Sequence, residues 1–85
     1  MSETTREQIR DVIGAHANLP VDIRELGDAA DLFAAGMTSF ASVNVMLGLE
    51  DTFDVEFPDT MLKRSVFASV DAILEALEAL GVALV

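Results

Sequence analysis

Apolar residues recur at three- and four-residue spacing in three separated segments of the chain, and nowhere do they alternate as in a half-buried strand. In "TTREQIRDVIGAHA" the recurring positions are Ile9, Val12, Ile13 and His16. In "SFASVNVMLGLEDTF" they are Phe40, Val43, Met46, Leu47, Glu50 and Phe53, and near the C-terminus Val70, Ile73, Leu74, Leu77 and Leu80. The pattern predicts an all-α fold. With 85 residues there is room for one small domain, whose core only just outweighs chain entropy. The helices must therefore bury their stripes against one another.

Capping and breaker residues set the expected limits of these helices. Thr4 and Glu7 fit a capping box at the start of a first helix over residues 4–17. Residues 18–38 read as a long loop with Pro20, Gly27 and Gly36 as breakers. Within it, "DLFAA" forms a single turn closed by Gly36, and Leu26, Leu32 and Phe33 pin the loop to the core. Thr38 caps a second helix over residues 39–53. Gly48 inside that helix costs about 1 kcal/mol against Ala, which points to a close packing neighbour. Pro58 opens a short helix over residues 58–64. Ser69 caps the last helix, residues 69–80, with Asp71 in its first turn and Gly81 as its stop. The expected architecture is an antiparallel bundle of three main helices plus the short one, with the long loop crossing between the first two. Its core comprises Ile9, Val12, Ile13, Leu32, Phe40, Val43, Met46, Phe53, Phe57, Phe67, Val70, Ile73, Leu74 and Leu77.

Charge narrows the partners. Fifteen acids against five bases give a net charge of −10, which repels nucleic acids and anionic membranes and suits partners with basic docking surfaces. Yet 52% of the residues are apolar, so carboxylates must surround a helical core, with some apolar surface left for a partner. The start "MSETTREQIR" holds no apolar signal core, and no apolar run approaches the roughly 20 residues that span a bilayer. A soluble, cytoplasmic monomer is expected.

Side-chain chemistry is sparse. The absence of Cys removes disulfides, thiolate metal sites and a cysteine nucleophile. His16 is the single histidine and sits on the inner or boundary stripe of the first helix, so no nucleophile, base and orienter can be assembled. The densest acidic run, Glu50, Asp51, Asp54, Glu56 and Asp59, lacks calcium-loop spacing and offers weak cation binding at most. The polypeptide by itself is not expected to be an enzyme or to bind a metal.

Against that background "GMTSFASV", residues 36–43, stands out. If Thr38 caps the second helix, Ser39 falls in its first turn with its side chain aimed outward and toward the N-terminus. Unpaired amides and the positive end of the helix dipole favour an anion such as a phosphodiester there. Gly36 lets the preceding chain turn sharply and keeps the approach open. Helix capping alone would also account for the two hydroxyls.

The longer stretch "DLFAAGMTSFASVNVMLGLEDTFDVEFPD", followed by "FASVDAIL", resembles the acyl carrier protein family. That family shows an apolar turn, Gly, a residue and Asp-Ser-Leu, then a long helix ending near Glu-x-x-Phe. An acidic-apolar-Pro-Asp break and a last helix opening with Thr or Ser and Val follow. The resemblance implies 4′-phosphopantetheine on Ser39, transferred from coenzyme A by a separate phosphopantetheinyl transferase with magnesium. It also implies that the arm carries the chemistry while the protein supplies an address.

The sequence departs from the family pattern at Thr38, where Asp is usual, and at Phe40, where Leu is usual. Ala41, Ser42 and Asn44 stand where fatty acid carriers tend to have acids. The surface near Ser39 is accordingly expected to be neutral and partly apolar, and a docking face is expected from Met37, Ala41, Ser42, Val45, Met46 and Glu50. The "GMTSFASV" region is similar to that of the bacterial aminoacyl carrier proteins, which implies loading by an ATP-dependent amino acid:[carrier protein] ligase resembling a class II aminoacyl-tRNA synthetase core. A carrier for fatty acid, polyketide or nonribosomal peptide synthesis is the alternative. A helical interaction module that is never modified is the rival from another class.

Overall fold

The computed structural model describes residues 4–84; residues 1–3 of the polar start and Val85 lie outside them. Three α-helices are present, α1 (Thr5–His16), α2 (Ser39–Phe53) and α3 (Val70–Ala79), with no strand among the described residues. The fold is all-α, as the spacing predicts. Thr4 and Glu7 form a capping box on α1, with the Glu7 N–H donating to Thr4 Oγ1 at 3.2 Å and Glu7 Oε1 accepting from the Thr4 N–H. Ser69 Oγ accepts from the Ala72 N–H at 3.0 Å to start α3.

α1 packs against both α2 and α3. Ile9 and Ile13 from α1, Val45 and Leu49 from α2, and Val70, Ile73 and Leu77 from α3 are fully buried. Phe57 and Phe67 close one end, their ring centroids 5.3 Å apart and tilted by 60°. α1 and α2 meet closely at Gly48, where an added Cβ would lie 2.6 Å from His16 Cδ2 and 2.8 Å from Val12 Cγ1. That contact is the packing neighbour the glycine calls for.

The long loop is fastened rather than free. Arg10 donates to the carbonyls of Ile23 at 2.7 Å and Leu26 at 2.8 Å, and pairs with Asp28. Arg6 bridges Asp28 and Asp71, and its hydrogen bond to Asp71, together with both carboxylate charges, outweighs desolvation and raises its pKa further above the ordinary value. Leu32 is fully buried, and its N–H donates to the Ala68 carbonyl at 2.7 Å. Leu26 and Phe33 pack half-buried against the core. A 3-10 turn, Ile23–Glu25, adds the buried Ile23.

Two expectations are corrected. The short helix over 58–64 is instead two 3-10 turns, Asp59–Met61 and Arg64–Phe67, separated by Leu62 and by Lys63 in extended conformation. Neither turn has a side-chain cap, and the second one carries Phe67 into the core beside Phe57.

The second correction concerns which side of α2 is inside. Its buried residues are Ala41, Val45 and Leu49, preceded by Met37 at the same four-residue spacing. Phe40 is 80%, Val43 50% and Leu47 52% exposed, although the first two were expected in the core and all three on the apolar stripe. Met46, Phe53 and Leu74 are half-buried at the margin. α2 is apolar on two nearly opposite sides, so periodicity alone could not choose between them. The side that went inside is flanked by Gly48, where α2 approaches His16 and Val12 of α1.

Candidate functional site

The approach to α2 is shaped by a tight turn. Asp31 Oδ1 accepts from the N–H groups of Phe33 at 2.9 Å and Ala34 at 3.3 Å. The Gly36 N–H donates to the Phe33 carbonyl at 3.1 Å, and the Met37 N–H donates to the Leu32 carbonyl at 3.0 Å. Gly36 has φ +121°, and a Cβ there would sit 2.8 Å from Pro20 Cδ, so both conformation and space require glycine. With Met37 and Leu32 buried, the chain is delivered to Thr38 in a defined direction.

Thr38 takes up the cap. Its Oγ1 accepts from the Ala41 N–H at 3.0 Å, while the Ser42 N–H donates to the Thr38 carbonyl at 3.0 Å. Ser42 Oγ in turn donates to the Ser39 carbonyl at 2.6 Å. The Ser39 hydroxyl is left exposed at the first residue of α2, without a hydrogen bond among the described residues. It stands at the positive end of a 15-residue helix that holds no acid in its first turn.

An apolar groove of about 340 Å³ opens beside it. Ser39, Ser42, Val43 and Met46 of α2 form one wall, and Leu62, Lys63, Arg64 and Phe67 form the other. Phe33 lies at the rim, with the Arg64 guanidinium 4.0 Å from its ring centroid. No carboxylate lines the groove. An exposed hydroxyl, a helix N-terminus and two cations beside an apolar trough fit a phosphodiester continuing into an uncharged arm. A second hollow of about 350 Å³, between Asp11, Gly14, Val21 and Arg24, shares no residue with this one.

A family described as phosphopantetheine attachment site matches residues 6–77. The chain belongs to this family. As a member it uses 4′-phosphopantetheine as its cofactor, which supplies, when bound, a thiol for carrying acyl groups as thioesters. This phosphopantetheine-attachment chain is 51% identical over 65 residues to an aminoacyl carrier protein of Agrobacterium fabrum, covering 76% of the chain and 78% of that protein. It is also similar, at 44% identity and a TM-score of 0.85, to a carrier protein from Agrobacterium tumefaciens. That carrier was crystallised with an engineered Bradyrhizobium japonicum glycine:[carrier protein] ligase and AMP, and the match covers 87% of this chain and 99% of the other. A solution structure from Agrobacterium tumefaciens matches with a TM-score of 0.71 at 44% identity, over 88% of this chain and 90% of that one.

The structure gathers Ser39, Ser42 and Met46 along the groove, with Gly36 and Thr38 immediately before them at the start of α2. It does not expose Met37, Ala41 or Val45, which are 3%, 7% and 0% exposed and belong to the core rather than to a docking face. Glu50 is half-buried, and its Oε2 accepts from the Phe57 N–H at 2.9 Å, so its carboxylate is engaged within the chain. His16 is exposed beside Gly48. Among the described residues no cluster of three or more His, Cys, Asp or Glu is placed to hold a metal, and no helix is long and apolar enough to cross a membrane. Sequence reasoning missed Lys63 and Arg64, although an adjacent basic pair in a chain of net charge −10 is a visible anomaly.

Proposed function

We propose that Ser39 is the attachment residue for the arm and that the chain carries an aminoacyl group loaded by a separate, ATP-dependent amino acid:[carrier protein] ligase. The observation that carries the site assignment is the division of labour between two neighbours: Thr38 spends its hydroxyl on the cap, and Ser39 keeps an exposed one. The aminoacyl assignment is supported by the Agrobacterium relatives, one of them an aminoacyl carrier protein and another a partner of a glycine:[carrier protein] ligase.

In this reading Ser39 Oγ attacks the pyrophosphate of coenzyme A in a phosphopantetheinyl transferase. Its proton passes to a base of that enzyme, and adenosine 3′,5′-bisphosphate leaves. The chain itself performs no catalysis; it presents the hydroxyl, holds α2 rigid and offers a face for docking. Correcting the phase of α2 moves that face to Phe40, Val43 and Leu47, the exposed stripe next to Ser39. The carrier works as a cytoplasmic monomer, where coenzyme A and ATP are at hand.

Intact-protein mass after incubation with coenzyme A, magnesium and a broad-specificity transferase tests the site. A gain of one phosphopantetheine on the wild type and none on Ser39→Ala is expected. Modification of Ser39→Ala, or of Thr38 in the wild type, refutes the assignment. The aminoacyl reading is tested by offering the holo-protein glycine, ATP and the Bradyrhizobium ligase. Failure to form a glycyl thioester there counts against it.

A further inference from the structure

We propose that the enzyme that loads this carrier docks on it through an apolar surface bearing carboxylates, and that Lys63 and Arg64 are the residues that meet those carboxylates. The proposal rests on the reading above, in which a ligase must cover the surface around Ser39 to reach the arm.

The charge distribution carries it. Of the five basic residues, Arg6, Arg10 and Arg24 are neutralised inside the chain by Asp28, Asp71 and Asp11. Among the described residues Lys63 and Arg64 form no ion pair, and both line the groove that Ser39 lines. In a chain of net charge −10, the two side-chain cations without an ion pair among the described residues therefore stand beside Ser39.

The shape agrees. Phe40, Val43 and Leu47 form one exposed stripe at i, i+3 and i+7 on α2, and Leu62, 47% exposed, stands on the opposite wall of the groove. Arg64 is held against Phe33, its guanidinium carbon 4.0 Å from the ring centroid, a contact that leaves N–H donors of the guanidinium without an acceptor among the described residues. An arginine held this way loses little freedom on binding a carboxylate. A partner surface studded with Lys and Arg would instead bury like charges against each other, a juxtaposition that discriminates against wrong partners. The overall acidity, which by itself suggests basic docking sites, thus has the opposite sign from the surface that matters.

The test is loading of purified holo-protein with radiolabelled glycine and ATP by the Bradyrhizobium glycine:[carrier protein] ligase. The variants are Lys63→Glu, Lys63→Gln and Arg64→Lys, with circular dichroism and thermal midpoints confirming folding. Lys63→Glu is expected to raise the KM for the carrier by about tenfold or more while kcat changes by less than about twofold. Lys63→Gln is expected to raise KM less than Lys63→Glu, and Arg64→Lys, which keeps the charge but loses the planar group held over Phe33, to raise KM by an amount between wild type and Lys63→Glu. A Lys63→Glu carrier that is loaded as well as, or faster than, wild type overturns the proposal, because added acid would then be neutral or helpful. Wild-type holo-protein that carries the arm by mass but accepts no glycine removes the aminoacyl reading and this inference with it. A wild-type dimer in light scattering that Lys63→Glu dissociates would assign the face to a second copy and overturn the proposal too.

Discussion

Gly48 of α2 faces His16 of α1 so closely that a single added methyl would lie 2.6 Å from His16 Cδ2. The same methyl would lie 2.8 Å from Val12 Cγ1. His16 is exposed and can swing away, whereas Val12 is buried and cannot. Gly48→Ala gains about 1 kcal/mol of helix propensity but incurs overpacking of about 1–3 kcal/mol, so a net loss of about 1 kcal/mol is expected in urea denaturation. His16→Ala in the same chain should recover only part of it; full recovery would show that Val12 is not the limiting contact.

Thr38 and Ser39 should separate cleanly. Thr38→Ala loses the bond to the Ala41 N–H and is expected to cost about 1 kcal/mol in thermal or urea unfolding, while still accepting the arm. Ser39→Ala removes an exposed hydroxyl without a hydrogen-bond partner and should stay within about 0.5 kcal/mol of wild type, yet never gain mass with coenzyme A.

The two sides of α2 should respond oppositely to truncation. Leu49→Ala opens a fully buried site and is expected to cost about 2–5 kcal/mol. Phe40→Ala, at a residue 80% exposed, should change stability by no more than about 0.5 kcal/mol and instead weaken loading by the ligase. A large loss of stability from Phe40→Ala would put its ring in the core after all.

Glu50 acts on the segment that follows its helix. Its carboxylate accepts from the Phe57 N–H, and its carbonyl accepts from the Val55 N–H at 3.2 Å, closing the chain after Asp54 in the left-handed region at φ 55°. Glu50→Ala is expected to cost about 1–2 kcal/mol and to speed amide exchange at Phe57; Glu50→Gln keeps an acceptor and should cost less. Unchanged exchange at Phe57 in Glu50→Ala would mean that the bond contributes nothing.

The segment-by-segment outcome follows from the range of the forces involved. The caps of Thr4, Thr38 and Ser69, the turn at Gly36 and the close contact at Gly48 could be read from sequence, because each depends on a few neighbouring residues or on an anomaly a helix would not otherwise tolerate. The arrangement at the start of α2 could be read for the same reason, since a cap and a first-turn hydroxyl occupy adjacent positions. Tertiary structure alone decided which side of α2 faces inward, because that helix is apolar on two sides and packing into the shared core is what buries Ala41, Val45 and Leu49. It alone brought Lys63 and Arg64 to Ser39, across more than twenty residues of chain, as Phe67 was drawn into the core beside Phe57. Local hydrogen bonding sets where a helix begins; which of two apolar faces is buried, and which charges then meet, depends on packing between segments distant in the chain.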